Sequence, residues 1–216
     1  DLGVAQHEGP VVVAGLGVLG DVDAEHLGPD THLVTYPLDS GKSINLVAIP
    51  DGDNPGETWE ARETDKGRGE LLDAFSGWHR DLVSILEQAP RMTRWPLFEV
   101  PDGPWHNADR TVLIGDAAHA MTPFAAQGAA MAIEDGFELA QAFDSTTTGV
   151  TAALQRYEEH RRARIGRARN RGAFNRFAYH ARGPIRIGRD FVLSMKTPES
   201  LAADLDWLYG YRSPGL

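Results

Sequence analysis

The stretch Arg110 to Phe143, RTVLIGDAAHAMTPFAAQGAAMAIEDGFELAQAF, decides the fold. Thr111 to Ile114 is short, apolar and β-branched, which predicts a buried strand rather than a helix. The strand ends at Gly115, and Asp116 follows at its carboxyl end, where open α/β sheets place their ligands. Gly115 has no Cβ, so a ligand can approach the backbone there. The Asp116 carboxylate can accept hydrogen bonds from two vicinal hydroxyls. Ala117 and Ala118 keep the turn slim, and Pro123 stiffens the loop. Gln127-Gly128-Ala129-Ala130 then opens a helix with almost no side-chain bulk, predicted to run to Phe143. Such a start presents free N–H groups and the positive end of the helix dipole to an anionic or oxygen-rich ligand.

Outward from this stretch, the preceding residues alternate short strands and turns. Val11 to Ala14 reads as a strand, residues 15–31 as irregular, and His32 to Pro37 with Ile44 to Ile49 as a hairpin about the turn Asp39-Ser-Gly-Lys42. Residues 50–66 read as a loop. From Gly69 to Ala89 apolar residues recur at helical spacing, with a break at Ser76-Gly77 that predicts two short helices. Arg94 to Val100 reads as a strand. After the quoted stretch, Thr151 to Ala181 predicts a long helix studded with Arg, broken by Gly183-Pro184. A further helix spans 185–195, and Trp207 to Tyr211 forms an aromatic tail.

The chain has 216 residues, with 42% hydrophobic and 24% charged, a globular composition. It has no run of eighteen apolar residues, so no membrane helix is expected. It has no cysteine, which removes disulfides, thiolate metal sites and Cys nucleophiles, and fits a cytoplasmic protein. The eight His show no metal-ligand spacing, so no metal is expected. Net charge is −17 over residues 1–150 and +7 over 151–216. The simplest reading is a solvated helix with Arg161, Arg162 and Arg164 on its outer face, docked against an acidic surface. Aromatic residues are not interleaved in a nucleic-acid-binding pattern, so no nucleic-acid partner is expected.

GDAAHAMTPFAAQGAAMAIED resembles the second flavin motif of class A FAD-dependent aromatic monooxygenases, the salicylate-hydroxylase and p-hydroxybenzoate-hydroxylase group. HLVTYPL with INLVAI resembles that group's substrate-domain strands, YEEHRRAR its following helix, and WLYGY its C-terminal signature. The resemblance implies an α/β fold (an α+β fragment): a substrate-domain sheet over residues 1–100 and the C-terminal part of a p-hydroxybenzoate-hydroxylase-like FAD-binding domain over 101–150. Long C-terminal helices over 151–216 complete it. It implies that Gly115, Asp116 and Ala117 meet the flavin ribityl chain, while Pro123, Gln127, Gly128, Ala129 and Ala130 flank the ring. A helix start there would stabilise negative charge near flavin N1 and the C2 oxygen.

The same resemblance implies FAD as cofactor, NADH or NADPH as reductant, O2 as co-substrate and a small aromatic substrate, with a homodimer as a further expectation. His32 and Tyr36 share one strand face by alternation and, with Phe124, are candidates to line the substrate pocket. The face is equally readable as core. The catalytic base is not identifiable from sequence. His119, inside the motif, reads as a packing residue before a base.

Two features of the family are missing, the ADP-binding βαβ unit and the middle Asp-Gly motif, so the chain reads as a partial one: either a fragment, or a chain whose ADP-binding portion is supplied separately. The loop Gly15-Leu-Gly17-Val-Leu-Gly20 imitates a dinucleotide fingerprint. Asp21, Asp23 and the breaker Gly28-Pro29 leave too little helix behind it, and the acids would face pyrophosphate, so it is read as a decoy. The rival to an enzyme is a catalytically incomplete flavoprotein remnant or interaction fragment.

Overall fold

In a computed structural model the described residues are 5–14, 24–52, 64–107, 110–147 and 149–213. They form a mixed helix-and-sheet fold of two units: Gln6–Leu97 with Phe177–Ile187, and Phe98–Arg176 with Gly188–Leu216. The glycine loop 15–20, Asp21 and Asp23 lie outside the described residues.

The first unit is built on a sheet of order β2-β3-β4-β1-β5, with β1 Ala5–Ala14, β2 Ala24–Gly28, β3 Thr31–Leu38, β4 Ser43–Pro50 and β5 Arg91–Glu99. The expected hairpin is present: β3 and β4 pair antiparallel from Thr31↔Pro50 to Leu38↔Ser43. Asp39 and Ser40 take positive φ in the tight turn between them. Strand β2 corrects the irregular reading of residues 15–31. AEHLG carries little strand propensity, and its pairing with β3 from Ala24↔Thr35 to Gly28↔Thr31 is a tertiary gain.

Alternation sends Leu33 with Ile44, Leu46 and Ala48 into one apolar core. Two helices cover that core, α1 Asp65–Ala74 and α2 Arg80–Gln88. Thr64 caps α1 by accepting from the Gly67 N–H at 3.0 Å. The break falls at the expected place, and Phe75, Leu71, Ile85 and Leu86 are buried on either side of it. Trp78 closes the end of the sheet: its Nε1 donates to Thr31 Oγ1 at 3.1 Å, and a Cβ at Gly28 would strike its ring at 2.6 Å.

The second unit is helical. A single turn α3 (Asp116–His119) leads to α4 (Gly128–Ser145), and α5 (Val150–Tyr179) begins here and ends in the sheet unit. Helix α6 (Gly183–Met195) follows the turn at Gly183, where φ is +51°, then α7 (Pro198–Ala203) and α8 (Asp206–Tyr209). The buried positions of α4 are Met131, Asp135, Glu138 and Ala142, one face at helical spacing. Those of α5 include Leu154, Tyr157, Arg161, Arg164, Ile165 and Ala168.

Two expectations fail here. Arg161 and Arg164 are not solvated: Arg161 is 0% exposed. The acidic surface they meet belongs to this same chain, on α4, and full pairing makes their burial tolerable. Thr111 to Ile114 is not a buried strand among the described residues. Only Val112 bridges, to His106, and Leu113 and Ile114 are 39% and 43% exposed. A parallel-sheet strand needs partners on its edges, and none of the described strands supplies them.

Candidate functional site

The loop after Ile114 turns sharply at Gly115 (φ 57°, ψ −142°), a conformation open essentially to glycine. A Cβ there would also come within 3.1 Å of the Ala132 Cβ, so Gly115 lets the loop lie directly on α4. Asp116 and Ala117 are exposed, while Ala118 and His119 turn inward. The carboxylate of Asp116 stands over the start of α4, 3.9 Å from where a Gly128 Cβ would be. Gly128 is therefore uncrowded by protein, and the space above it is open to a ligand. Gln127 leads into α4 without a side-chain cap, so the first N–H groups of Gly128, Ala129 and Ala130 keep their donors for another partner. Pro123 and Ala129 are exposed, Ala130 is half-buried and Gln127 is buried. The loop thus gathers Gly115, Asp116, Gln127 and Gly128 at one place. Its donor set and hydroxyl-accepting carboxylate fit an oxygen-rich ligand.

A network beneath the loop was not expected from the sequence. Asp135 Oδ2 accepts from the Gly115 N–H at 2.7 Å and lies 2.6 Å from His119 Nε2. Asp135 Oδ1 accepts from Arg161 Nε at 2.8 Å. Arg161 also donates to Glu134 at 2.7 Å, Glu138 at 3.3 Å and the Met131 carbonyl at 3.2 Å. Burial alone would favour a protonated Asp135, but hydrogen bonds from His119, Gly115 and Arg161 outweigh it and hold the carboxyl below its usual range. Burial likewise opposes the charge on Arg161, and Asp135 with Glu134 overcomes it. Tyr211 Oη donates to Glu138 at 2.6 Å; burial and this bond push the phenol up to about 12. Arg164 donates to the carbonyls of Trp207 and Leu208 at 2.8 Å each and pairs with Glu134 at 2.9 Å. The WLYGY segment is therefore tied to α4 and α5, with Trp207 half-buried and Tyr209 exposed.

The one available sequence signal was the spacing of Asp135 and Glu138 among buried Met131 and Ala142. Two carboxylates on an apolar helix face demand a facing cation.

The candidate substrate residues separate. His32 is 2% exposed and packed in the sheet unit, whereas Tyr36, four residues along β3, is 38% exposed. Phe124 is buried in the helical unit, with its carbonyl accepting from Asn175 at 2.8 Å. Among the described residues no group of three or more His, Asp or Glu is arranged to hold a metal. No helix among them is long and apolar enough to cross a membrane.

Residues 25–171 match the FAD binding domain family, and the chain belongs to that family. Over 200 residues it is 34% identical to a salicylate hydroxylase of Pseudomonas putida, covering 89% of this chain and 45% of that protein. It is 35% identical over 190 residues to a 3-hydroxybenzoate 6-hydroxylase of Klebsiella oxytoca, covering 86% and 46%. The chain thus spans about half the length of the curated relatives it matches. Its fold resembles that of a salicylate hydroxylase substrate complex, at TM-score 0.70 and 22% identity over 97% of this chain and 54% of that one. It also resembles Klebsiella pneumoniae HpxO complexed with FAD and uric acid, at TM-score 0.74 and 20% identity over 92% and 51%.

Proposed function

We propose that this chain is part of an FAD-dependent monooxygenase that hydroxylates a phenolic or hydroxybenzoate-type ring, using O2 and NADH or NADPH. One arrangement carries the reading: the exposed Asp116 carboxylate beside the uncapped, small-residue start of α4, on a loop clamped from below by Asp135. The family match and the aromatic hydroxylases among the relatives support it.

In this reading Asp116 accepts hydrogen bonds from the ribityl hydroxyls, with Gly115 and Ala117 giving the chain room to pass. The N–H groups of Gly128, Ala129 and Ala130 donate toward the electron-accepting edge of the ring, and Pro123 and Gln127 flank it. Bound FAD supplies hydride acceptance and oxygen activation; the protein supplies position, charge and exclusion of water. His32 and Tyr36 on β3 are assigned to the aromatic substrate. Residues 1–100 serve substrate binding, 101–150 the flavin, and 151–216 the helical cover. An ADP-binding portion of the natural protein would complete the FAD site. The apolar side chains of Leu113, Ile114 and Ile133, all exposed, and the 45% coverage of the relatives support that assignment.

Asp116→Ala in the intact enzyme is expected to weaken FAD binding about 10- to 100-fold, the worth of a hydrogen bond to a charged group. Flavin fluorescence titration measures it, and an unchanged dissociation constant overturns the assignment.

A further inference from the structure

A buried carboxamide in the sheet unit is left without a partner. Asn45 on β4 is 6% exposed, and among the described residues its side chain makes no hydrogen bond. The register sets it directly opposite Tyr36, and cross-strand partners share a face. Alternation puts His32 and Val34 on that same face of β3, and Val47 on that face of β4. Val34 and Val47 are paired and half-buried, so they make an apolar floor between the two ends. One end is closed: His32 is buried, its Nδ1 lies 3.0 Å from His180 Nε2, and the Tyr179 ring meets it edge-on at 5.5 Å. The other end is open at the exposed Tyr36, with Asn45 beside it. His32 and Tyr36 stand about 13 Å apart along the strand, which one substituted ring with a hydrogen bond at each end would span.

We propose that Asn45 is a specificity-determining residue whose carboxamide reads an uncharged hydroxyl on the aromatic substrate. That the ligand is an aromatic ring rests on the function proposed above. A carboxamide carries an acceptor and two donors, and a hydroxyl both donates and accepts, so the two can pair in either direction. Holding an unpaired amide out of water costs free energy, and a ligand that supplies its partner recovers that cost. The chemistry of the face selects the hydroxyl over a carboxylate. Strands β3 and β4 contain no Lys or Arg. Burial first, and His180 second, pull His32 down to about 4 against the opposing pull of Asp51, so at neutral pH it is uncharged. A carboxylate laid against this floor would lose its water and gain no cation, whereas a hydroxyl is matched by the carboxamide alone. A carboxylate elsewhere on the ring therefore points away from Asn45.

The test is carried out on the intact, FAD-loaded protein without reductant, with the flavin absorbance followed as 3-hydroxybenzoate or benzoate is added. Wild type is expected to bind the hydroxylated ring about tenfold more tightly or better, because benzoate leaves the carboxamide unpaired. In Asn45→Val the hydroxylated ring should bind about tenfold more weakly and benzoate no more weakly than before, so the preference collapses. A merely structural role would weaken both ligands together; that result, or an unchanged preference, overturns the inference. The ligand-free melting temperature gives an independent readout. Valine suits a strand and removes an unpaired buried amide, so the variant is expected to melt higher. A variant that melts lower or does not fold shows that the amide serves the fold, and overturns the inference. Wild type that binds neither ring removes the aromatic-hydroxylase reading and this inference with it. Wild type that binds both rings equally keeps that reading and overturns the role of Asn45 alone.

Discussion

The two units bury charge-capable groups in opposite ways. In the helical unit, Asp135 and Arg161 are wholly enclosed and pair with each other, with the Gly115 N–H on Asp135 and Glu134 and the Met131 carbonyl on Arg161 filling further positions. In the sheet unit, His32 is equally enclosed but faces a second imidazole, and burial drives it neutral. Matched ions fix a geometry because any displacement leaves a bare charge in low dielectric. A neutral His32 fixes less but can still accept a proton. The first arrangement suits a loop that must hold still under a cofactor, and the second suits a surface that must accept a proton.

The strongest challenge to this contrast is Arg161→Leu. Removing one partner leaves Asp135 and Glu138 buried without their cation, and a loss of about 3–5 kcal/mol is expected by urea denaturation. A loss below about 1 kcal/mol would mean that the network tolerates a bare charge and that the contrast is false. Next comes acid sensitivity of the sheet unit. His32 binds its proton near pH 4 when folded and near 6.5 when unfolded, so the unfolded chain takes up the proton first as pH falls. Stability is full above about 6.5 and is lost between 6.5 and 4, by about 3 kcal/mol in total. Asp135 acts only lower, since its folded value lies below 3.8 and its contribution fades as pH falls through that value. Denaturation midpoints between pH 4.5 and 7 should therefore slope in wild type and flatten in His32→Gln; an equal slope in both would place the acid sensitivity elsewhere. The smallest effect sharpens the helical side: Gly115→Ala forces a side chain into a glycine-only conformation, at a cost of about 2 kcal/mol. Because the same turn presents Asp116, FAD affinity should fall with it; a stability loss without an affinity loss would uncouple the turn from the cofactor.

Local signals were legible in the sequence where they were strong. The hairpin of β3 and β4 followed from alternation around a polar turn, and the α1–α2 break from Ser76-Gly77. The family resemblance was carried by the Gly115-Asp116 loop and the small-residue start of α4. Strand β2 was missed because its pairing with β3, not its composition, makes it a strand. The strand expected at Thr111 to Ile114 was read from composition alone, yet its apolar residues have no sheet to enter among the described residues. The burial of Arg161 was hidden for a related reason: its partners stand 26 and 27 residues away, on another helix. His180 lies 148 residues from His32, and no pattern in the chain links the two.

The Arg161 pocket also governs how the helices find each other. A slide of α5 by one turn along α4 would face Asp135 and Glu138 with Tyr157 or Ile165 instead of a guanidinium. An apolar interface alone would tolerate that slip at modest expense, whereas this one strands two carboxylates. The pair therefore favours this register, in which Arg164 also reaches the Trp207 and Leu208 carbonyls. Charge thus favours the register in which α4 meets α5, and the aromatic segment is seated on that same register.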